Sequence, residues 1–263
     1  MAKRISKKSQ VLEQILQELI EKKSKDLSFD NDLVKTISGT TFKNQFDVTK
    51  LDNSSKLPPL LKEMDYYVIH LGSGRHRFVK GIKNGYHFFE EIPSKNIKNW
   101  EYRKSILNET DTSEASILSL VHNQRILHDF LYEDITANPK LYISKRTKTT
   151  FSYKINNSDV TVSNLQIEKD MIVENNGIVT ILEGKNKIPP DFAVYQLFHP
   201  FKYYSKLREE KNLPIKEINT AYLLRYLENG NTVIRFYLYT FKDEDKPSSI
   251  TLIKAAQYNL LKR

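Results

Sequence analysis

At 263 residues the chain can form one large domain or two modest ones, and 39% hydrophobic content with 15 Tyr and 13 Phe describes a folded globular protein. Its formal charge of +9, from 41 basic against 32 acidic residues, favours a polyanion as partner. With no cysteine, disulfides and cysteine-based zinc sites are excluded. No apolar run approaches the roughly 18–20 residues that span a bilayer, and MAKRISKKSQ lacks the apolar core of a secretion signal, so the expected location is the cytoplasm.

In chain order, Lys3 to Lys8 is a basic lead, either a frayed terminus or a phosphate-touching arm. Ser9 is the expected cap of a helix over Gln10 to Lys23, where Val11, Ile15, Leu16, Leu19 and Ile20 follow helical spacing. A mixed region to Lys56 ends in the polar break Asp52-Asn53-Ser54-Ser55, and Pro58-Pro59 opens a short helical turn through Glu63. Tyr66 to Leu71 predicts a strand running through Gly72-Ser73-Gly74 into a second. The glycines lack the spacing and the Lys-Ser/Thr of a nucleotide-binding loop. Arg75, His76 and Arg77 on this hairpin are either a solvated tip or contacts to phosphates and base edges. A strand pair is expected around Gly85 to Ile92, then a linker over Pro93 to Tyr102 in which Trp100 is a packing residue.

Asp111-Thr112-Ser113-Glu114 opens a long amphipathic helix with Ile117, Leu118, Val121, Leu127 and Phe130 on its apolar stripe. Glu114 there either favours the positive helix terminus or reaches a metal site as a further carboxylate. Leu141 to Val162 predicts β-structure around a turn at Asn156-Asn157. Next, QIEKDMIVENNGIVTILEGKNK, Gln166 to Lys187, reads as two strands around Asn175-Asn176-Gly177. Period-2 alternation puts Glu168 with Asp170, and Glu183 with Lys185, on shared faces. Asp191 is the expected cap of a helix from Phe192 that carries Tyr195, Gln196, His199 and Tyr203, with a kink or restart at Pro200. Ile218 to Leu227 predicts a helix, Thr232 to Phe241 a strand, and Ser249 to Leu261 a final strand or strand pair. The expected class is α/β or α+β, with an N-terminal α+β segment over residues 1–105 and the core over 106–263.

There is no Gly-x-Ser-x-Gly elbow and no His-Glu-x-x-His, and the 6 histidines are scattered. Asp170, Glu183 and Lys185 remain. Two hard carboxylates suit Mg²⁺, and a lysine beside them can orient water or stabilise developing charge at a phosphodiester. A surface hairpin with a Glu–Lys pair is the plain alternative.

Gln166-Ile167-Glu168-Lys169-Asp170 followed by Ile181-Leu182-Glu183-Gly184-Lys185 resembles the core of the PD-(D/E)xK nuclease superfamily, and among its members a type II restriction endonuclease. The resemblance implies a mixed β-sheet flanked by helices, with Asp170 and Glu183 as Mg²⁺ ligands and Lys185 positioning water. It adds Glu168 as an alternative ligand, Gln196 on the following helix, and Glu114 as a helix-borne acid. Lys169 stands where the family has proline, which leaves Glu168 and Asp170 both open as the first ligand. The resemblance further implies Mg²⁺-dependent cleavage of double-stranded DNA at a specific sequence, by a homodimer; Arg75, His76, Arg77 and Lys187 are the candidate DNA contacts. A structure-specific or repair nuclease of the same fold, and a basic DNA-binding module without catalysis, are the alternatives.

Overall fold

Val11, Leu12, Ile15, Leu16 and Leu19 recur on one side of the first helix, and all are buried in the computed structural model. That structure describes residues 6–103, 105–106, 113–143 and 146–262, without the side chains of Glu114, Ala115 and Lys262. Helix α1 is Lys7–Glu21, capped by Ser6, whose side chain accepts from the Ser9 amide; the cap is three residues earlier than the sequence suggests. Then come β1 (Ser28–Asp30), α2 (Asn31–Ser38), α3 (Phe46–Thr49) and α4 (Pro59–Glu63). The hairpin β2 (Tyr66–Gly72) and β3 (Arg75–Lys80) joins β1 in a three-stranded sheet of order β1-β3-β2. After α5 (Ile82–Gly85) only a short β4 (Tyr86–Phe88) forms, in place of the expected strand pair.

The remaining elements build the main sheet. The expected linker contains β5 (Ile97–Tyr102), on which Trp100 packs against Tyr258 and donates to the Gln124 carbonyl at 3.1 Å. The long helix divides into α6 (Glu114–Asn123), capped by Ser113, and α7 (Ile126–Tyr132), because Arg125 between them takes a φ of 62°. There follow β6 (Lys140–Tyr142), β7 (Thr147–Ile155), β8 (Ser158–Ile167), β9 (Met171–Asn175), β10 (Ile178–Lys185), β11 (Asp191–Ala193) and α8 (Tyr195–Glu210). The chain closes with β12 (Glu217–Glu228), β13 (Asn231–Phe241) and β14 (Ile250–Lys262).

The seven-stranded sheet has the order β5-β14-β13-β12-β10-β9-β6. It is mixed: β9 and β10 pair antiparallel, whereas β10 and β12 run parallel with α8 crossing between them. Helices α6 and α7 cover one face through Leu182, Ala221, Leu223 and Phe236. The other face buries Val179, Ile181, Tyr222 and Tyr237 beneath α8, and the same core continues without interruption into α1, β2 and β8. The protein is therefore α+β, a central mixed sheet flanked by helices. Among the described residues no helix is long and apolar enough to cross a membrane.

Two local predictions fail here for identifiable reasons. The stretch Ile218 to Leu227 is strand β12, not helix; Ala221, Leu223, Leu224 and Tyr222 give a continuous apolar run because the strand is buried on both faces, and such a run lacks the period of 2. Asp191 caps no helix. It sits in β11, paired with β4, and α8 starts only at Tyr195 and continues through Pro200. The β9–β10 turn does form as predicted, with Asn176 and Gly177 both at positive φ (53° and 85°) as a two-residue hairpin requires.

Gly72 ends β2 at φ +82°, and a Cβ there would lie 2.0 Å from the Ser163 carbonyl oxygen of β8. Gly72→Ala therefore lowers stability by more than about 2 kcal/mol, combining backbone strain with a clash against main chain. A urea midpoint unchanged from wild type would contradict this packing of β2 on β8.

Candidate active site

The site forms where β9 and β10 meet the start of α8. Leu182 pairs with Met171, so continuing the antiparallel register by one residue sets Asp170 opposite Glu183. Asp170 lies just before β9, not inside a strand shared with Glu168, and its Oδ2 accepts from the Gly184 amide at 2.9 Å. Glu183 and Lys185 continue the alternation of Val179 and Ile181 on β10, which places both on the face covered by α8. Lys185 Nζ lies 2.7 Å from Glu183 Oε1 and donates to the Gly184 carbonyl at 3.0 Å. Gln196, in the first turn of α8, donates from Nε2 to the same Glu183 Oε1 at 3.3 Å, and Tyr222 on β12 donates to Gln196 Oε1 at 3.3 Å. The Glu183 and Lys185 side chains are only 16% and 19% exposed, so their pairing is held in a partly dry environment, unlike a solvated surface ion pair.

The other predicted residues are distributed differently. Glu168 is turned to solvent, 56% exposed, and paired with Arg146 Nε at 2.7 Å. Lys169, in the place of the family's proline, is buried; it stacks over the Tyr203 ring at 4.5 Å and donates to Thr147 Oγ1 at 3.2 Å, anchoring the turn that presents Asp170 on α8. Burial also lowers the Lys169 pKa. Glu114 begins α6, and its side chain lies outside the described residues. His76 is a core residue with 2% exposure: its Nε2 bonds Asn31 Oδ1 and its Nδ1 bonds His70 Nδ1, each at 3.0 Å. His76 is therefore not at a solvated tip, one of the two places the sequence offers for it. Arg77 is tied to Asp26 and Ser28, both at 3.1 Å, while Arg75 and Lys187 are exposed. Among the described residues there is no group of three or more His, Cys, Asp or Glu that could hold a metal ion.

The N-terminal segment reaches the site through Asp52, which the sequence offered only as part of a polar break. Its carbonyl accepts from the Ala193 amide at 2.8 Å, immediately before α8. Burial pulls the Asp52 pKa up, but the Lys56 hydrogen bond and charge, with Lys50 and Lys185, outweigh it and leave it below the ordinary carboxylate value. Burial, then the charges of Asp52, Tyr86 and Glu183, hold the Tyr195 phenol protonated well above the usual range. Asp191, fully buried, accepts from the Ser54 amide at 2.7 Å and from the Ser54 hydroxyl. These bonds join residues 137 apart in sequence, and no local signal announces them. Asp191→Ala leaves two Ser54 donors without their charged acceptor and is expected to lower stability by about 3 kcal/mol. A shift of under half that amount in urea unfolding would show the tie to be dispensable.

An α+β protein with a central mixed sheet thus carries an acid before one strand, a Glu-x-Lys at the end of the next and a helix-borne glutamine beside them. Residues 81–259 match the family described as Domain of unknown function (DUF6997), and the chain belongs to it. Residues 5–78 match a second Domain of unknown function (DUF6996). No curated protein and no solved structure matches the chain.

Proposed function

We propose that this protein is a Mg²⁺-dependent DNA endonuclease of the PD-(D/E)xK type, and within it a type II restriction endonuclease acting in the cytoplasm as a homodimer. What supports the reading is that Glu183, Lys185 and Gln196 are bonded together at the end of β10, where the adjacent Gly184 amide holds the Asp170 carboxylate. The donor set fits the ion: two hard carboxylates, from Asp170 and Glu183, suit Mg²⁺, which keeps several waters and takes one or two protein carboxylates plus substrate phosphate. When bound, Mg²⁺ would neutralise phosphodiester charge and lower the pKa of a bound water.

The chain's own residues do the rest. Gln196, itself oriented by Tyr222, and Lys185 both donate to Glu183 Oε1 and so fix the carboxylate through one oxygen. The Gly184 amide fixes Asp170. Lys185, held by Glu183 and the Gly184 carbonyl, presents an ammonium that can orient the attacking water and offset charge on the scissile phosphate. Such fixed donors act with little reorganisation in a site largely closed to water. The excess positive charge of the chain supports a polyanionic substrate.

Incubating a supercoiled plasmid with the purified protein, with Mg²⁺ and with EDTA, tests the reading. Discrete Mg²⁺-dependent fragments are expected. A smear points to a repair or structure-specific nuclease of the same chemistry, and binding without cleavage under both conditions removes the enzyme.

A further inference from the structure

The face of the sheet that carries Glu183 and Lys185 also holds a cavity of about 470 Å³ lined by Arg235, Tyr237, Gln257, Glu90, Glu91 and Pro190, among others. It belongs to the same row of the sheet as Lys185. Lys185 pairs with Leu224, Leu224 with Arg235, Arg235 with Gln257, and Gln257 with Ile97 at the cavity's far side. Neighbouring strands lie about 4.8 Å apart, so Arg235 stands two strands, about 10 Å, from the strand of Lys185. That separation equals about three base-pair steps of DNA, at 3.4 Å per step. The loop that leaves β10 supplies the near wall through Pro190.

Arg235 is held in place by its neighbours. Its Nε donates to Gln257 Oε1 at 2.8 Å, and its guanidinium lies 5.2 Å from the Tyr226 ring centroid. Tyr226 donates to the same Gln257 oxygen at 3.4 Å, and Gln257 Nε2 donates to Asn259 Oδ1 at 3.0 Å. Gln257 is 7% exposed, so it works as a buried brace for Arg235. A guanidinium so oriented matches a pair of acceptors, which guanine offers in O6 and N7 and phosphate offers in its oxygens. Two carboxylates decide between them. Glu90 is fixed in the cavity by His87 at 2.9 Å and Tyr239 at 2.8 Å, and Glu91 lies exposed on the rim. A phosphate would be repelled beside them, whereas the neutral edge of a G·C pair brings a cytosine amino group that a carboxylate accepts.

We infer that this cavity reads one G·C base pair of the DNA near the scissile bond. Arg235 takes the guanine edge, Glu91 takes the cytosine amino group, and Gln257 positions Arg235. The inference rests on the nucleic-acid reading above for its ligand, but not on cleavage.

The test is a selection from random duplex DNA for sequences bound in EDTA, by wild type and by Arg235→Lys and Arg235→Ala. The ends of fragments cut from the same pool in Mg²⁺ are sequenced in parallel. Wild type is expected to enrich one G·C pair at least about tenfold. Both variants lose that enrichment at that position alone, since lysine keeps the charge but not the fork. Overturning results are a G·C preference that survives in Arg235→Ala, or affinity that falls equally for all sequences in Arg235→Ala, recovers in Arg235→Lys and changes the salt slope by about 0.9, which marks a phosphate contact. Enrichment that depends on Arg235 without any cutting would uphold the base contact and remove the nuclease. Cutting with no such enrichment would do the reverse.

Discussion

Glu183→Gln lowers Mg²⁺-dependent cleavage at least about a thousandfold while the protein stays folded. The size follows from two roles at the end of β10: the carboxylate compensates the Lys185 ammonium at 2.7 Å, and in the proposed reading it would be one of two hard ligands to Mg²⁺. Removing one fixed electrostatic group from a partly dry site costs about a hundred- to a thousandfold in rate, and loss of a metal ligand adds to this. Glutamine keeps the length of the side chain and a carbonyl that Lys185 and Gln196 can still bond, so packing around Tyr222 and Gln196 survives. What it removes is charge, leaving Lys185 less well compensated at a stability cost of about 1–2 kcal/mol. Single-turnover cleavage and a thermal melt on one preparation read the two effects separately. A wild-type rate in a folded variant would remove Glu183 from the mechanism.

Stability is expected to fall by several kcal/mol between pH 7 and pH 5, above the range in which ordinary carboxylates protonate. His70, His76 and His199 are 6%, 2% and 6% exposed, and each has its pKa lowered to about 3. Burial is the main cause for all three, with His199 adding to it at His70 and His70 adding to it at His76. The unfolded chain binds protons at these sites near pH 6.5, whereas the native state does not until about pH 3. The stability they carry is therefore complete above pH 6.5 and is lost as pH falls towards 3. From pH 7 to pH 5 the loss is about 2 kcal/mol for each histidine that stays neutral, on the order of 5 kcal/mol together. Urea unfolding at the two pH values measures it. His199→Phe keeps ring contacts with Tyr153 and Phe198 and should remove about a third of the dependence. Stability flat between pH 7 and pH 5 would show that these rings are not held neutral.

The local elements of the site were legible, and its supports were not. Asn176-Gly177 announced the hairpin because only residues tolerant of positive φ make so tight a turn, and period-2 alternation then put Glu183 and Lys185 on one face. Gln196 lies on the helix that follows, as the sequence led one to expect, and bonds Glu183. Tyr222, which orients it, was lost because a strand buried on both sides reads like a helix when it is rich in Leu and Ala. The partnership of Ser54 with Asp191 spans 137 residues, and Asp52 sits on the Ala193 amide for the same topological reason, which no window of sequence contains. Polarity misled at His76: a histidine flanked by two arginines resembles a solvated tip, yet alternation along β3 turns it inward to His70.

The central claim is that Asp170 and Glu183 serve one cation, and a cleavage cycle tests it most directly. Rates are compared for wild type, Asp170→Asn, Glu183→Gln and the double variant under the same Mg²⁺. Groups that act as a unit are not additive. The double variant is therefore expected to be no slower than the slower single one. Losses that multiply would mean that the two carboxylates act independently, and the proposed centre would not exist.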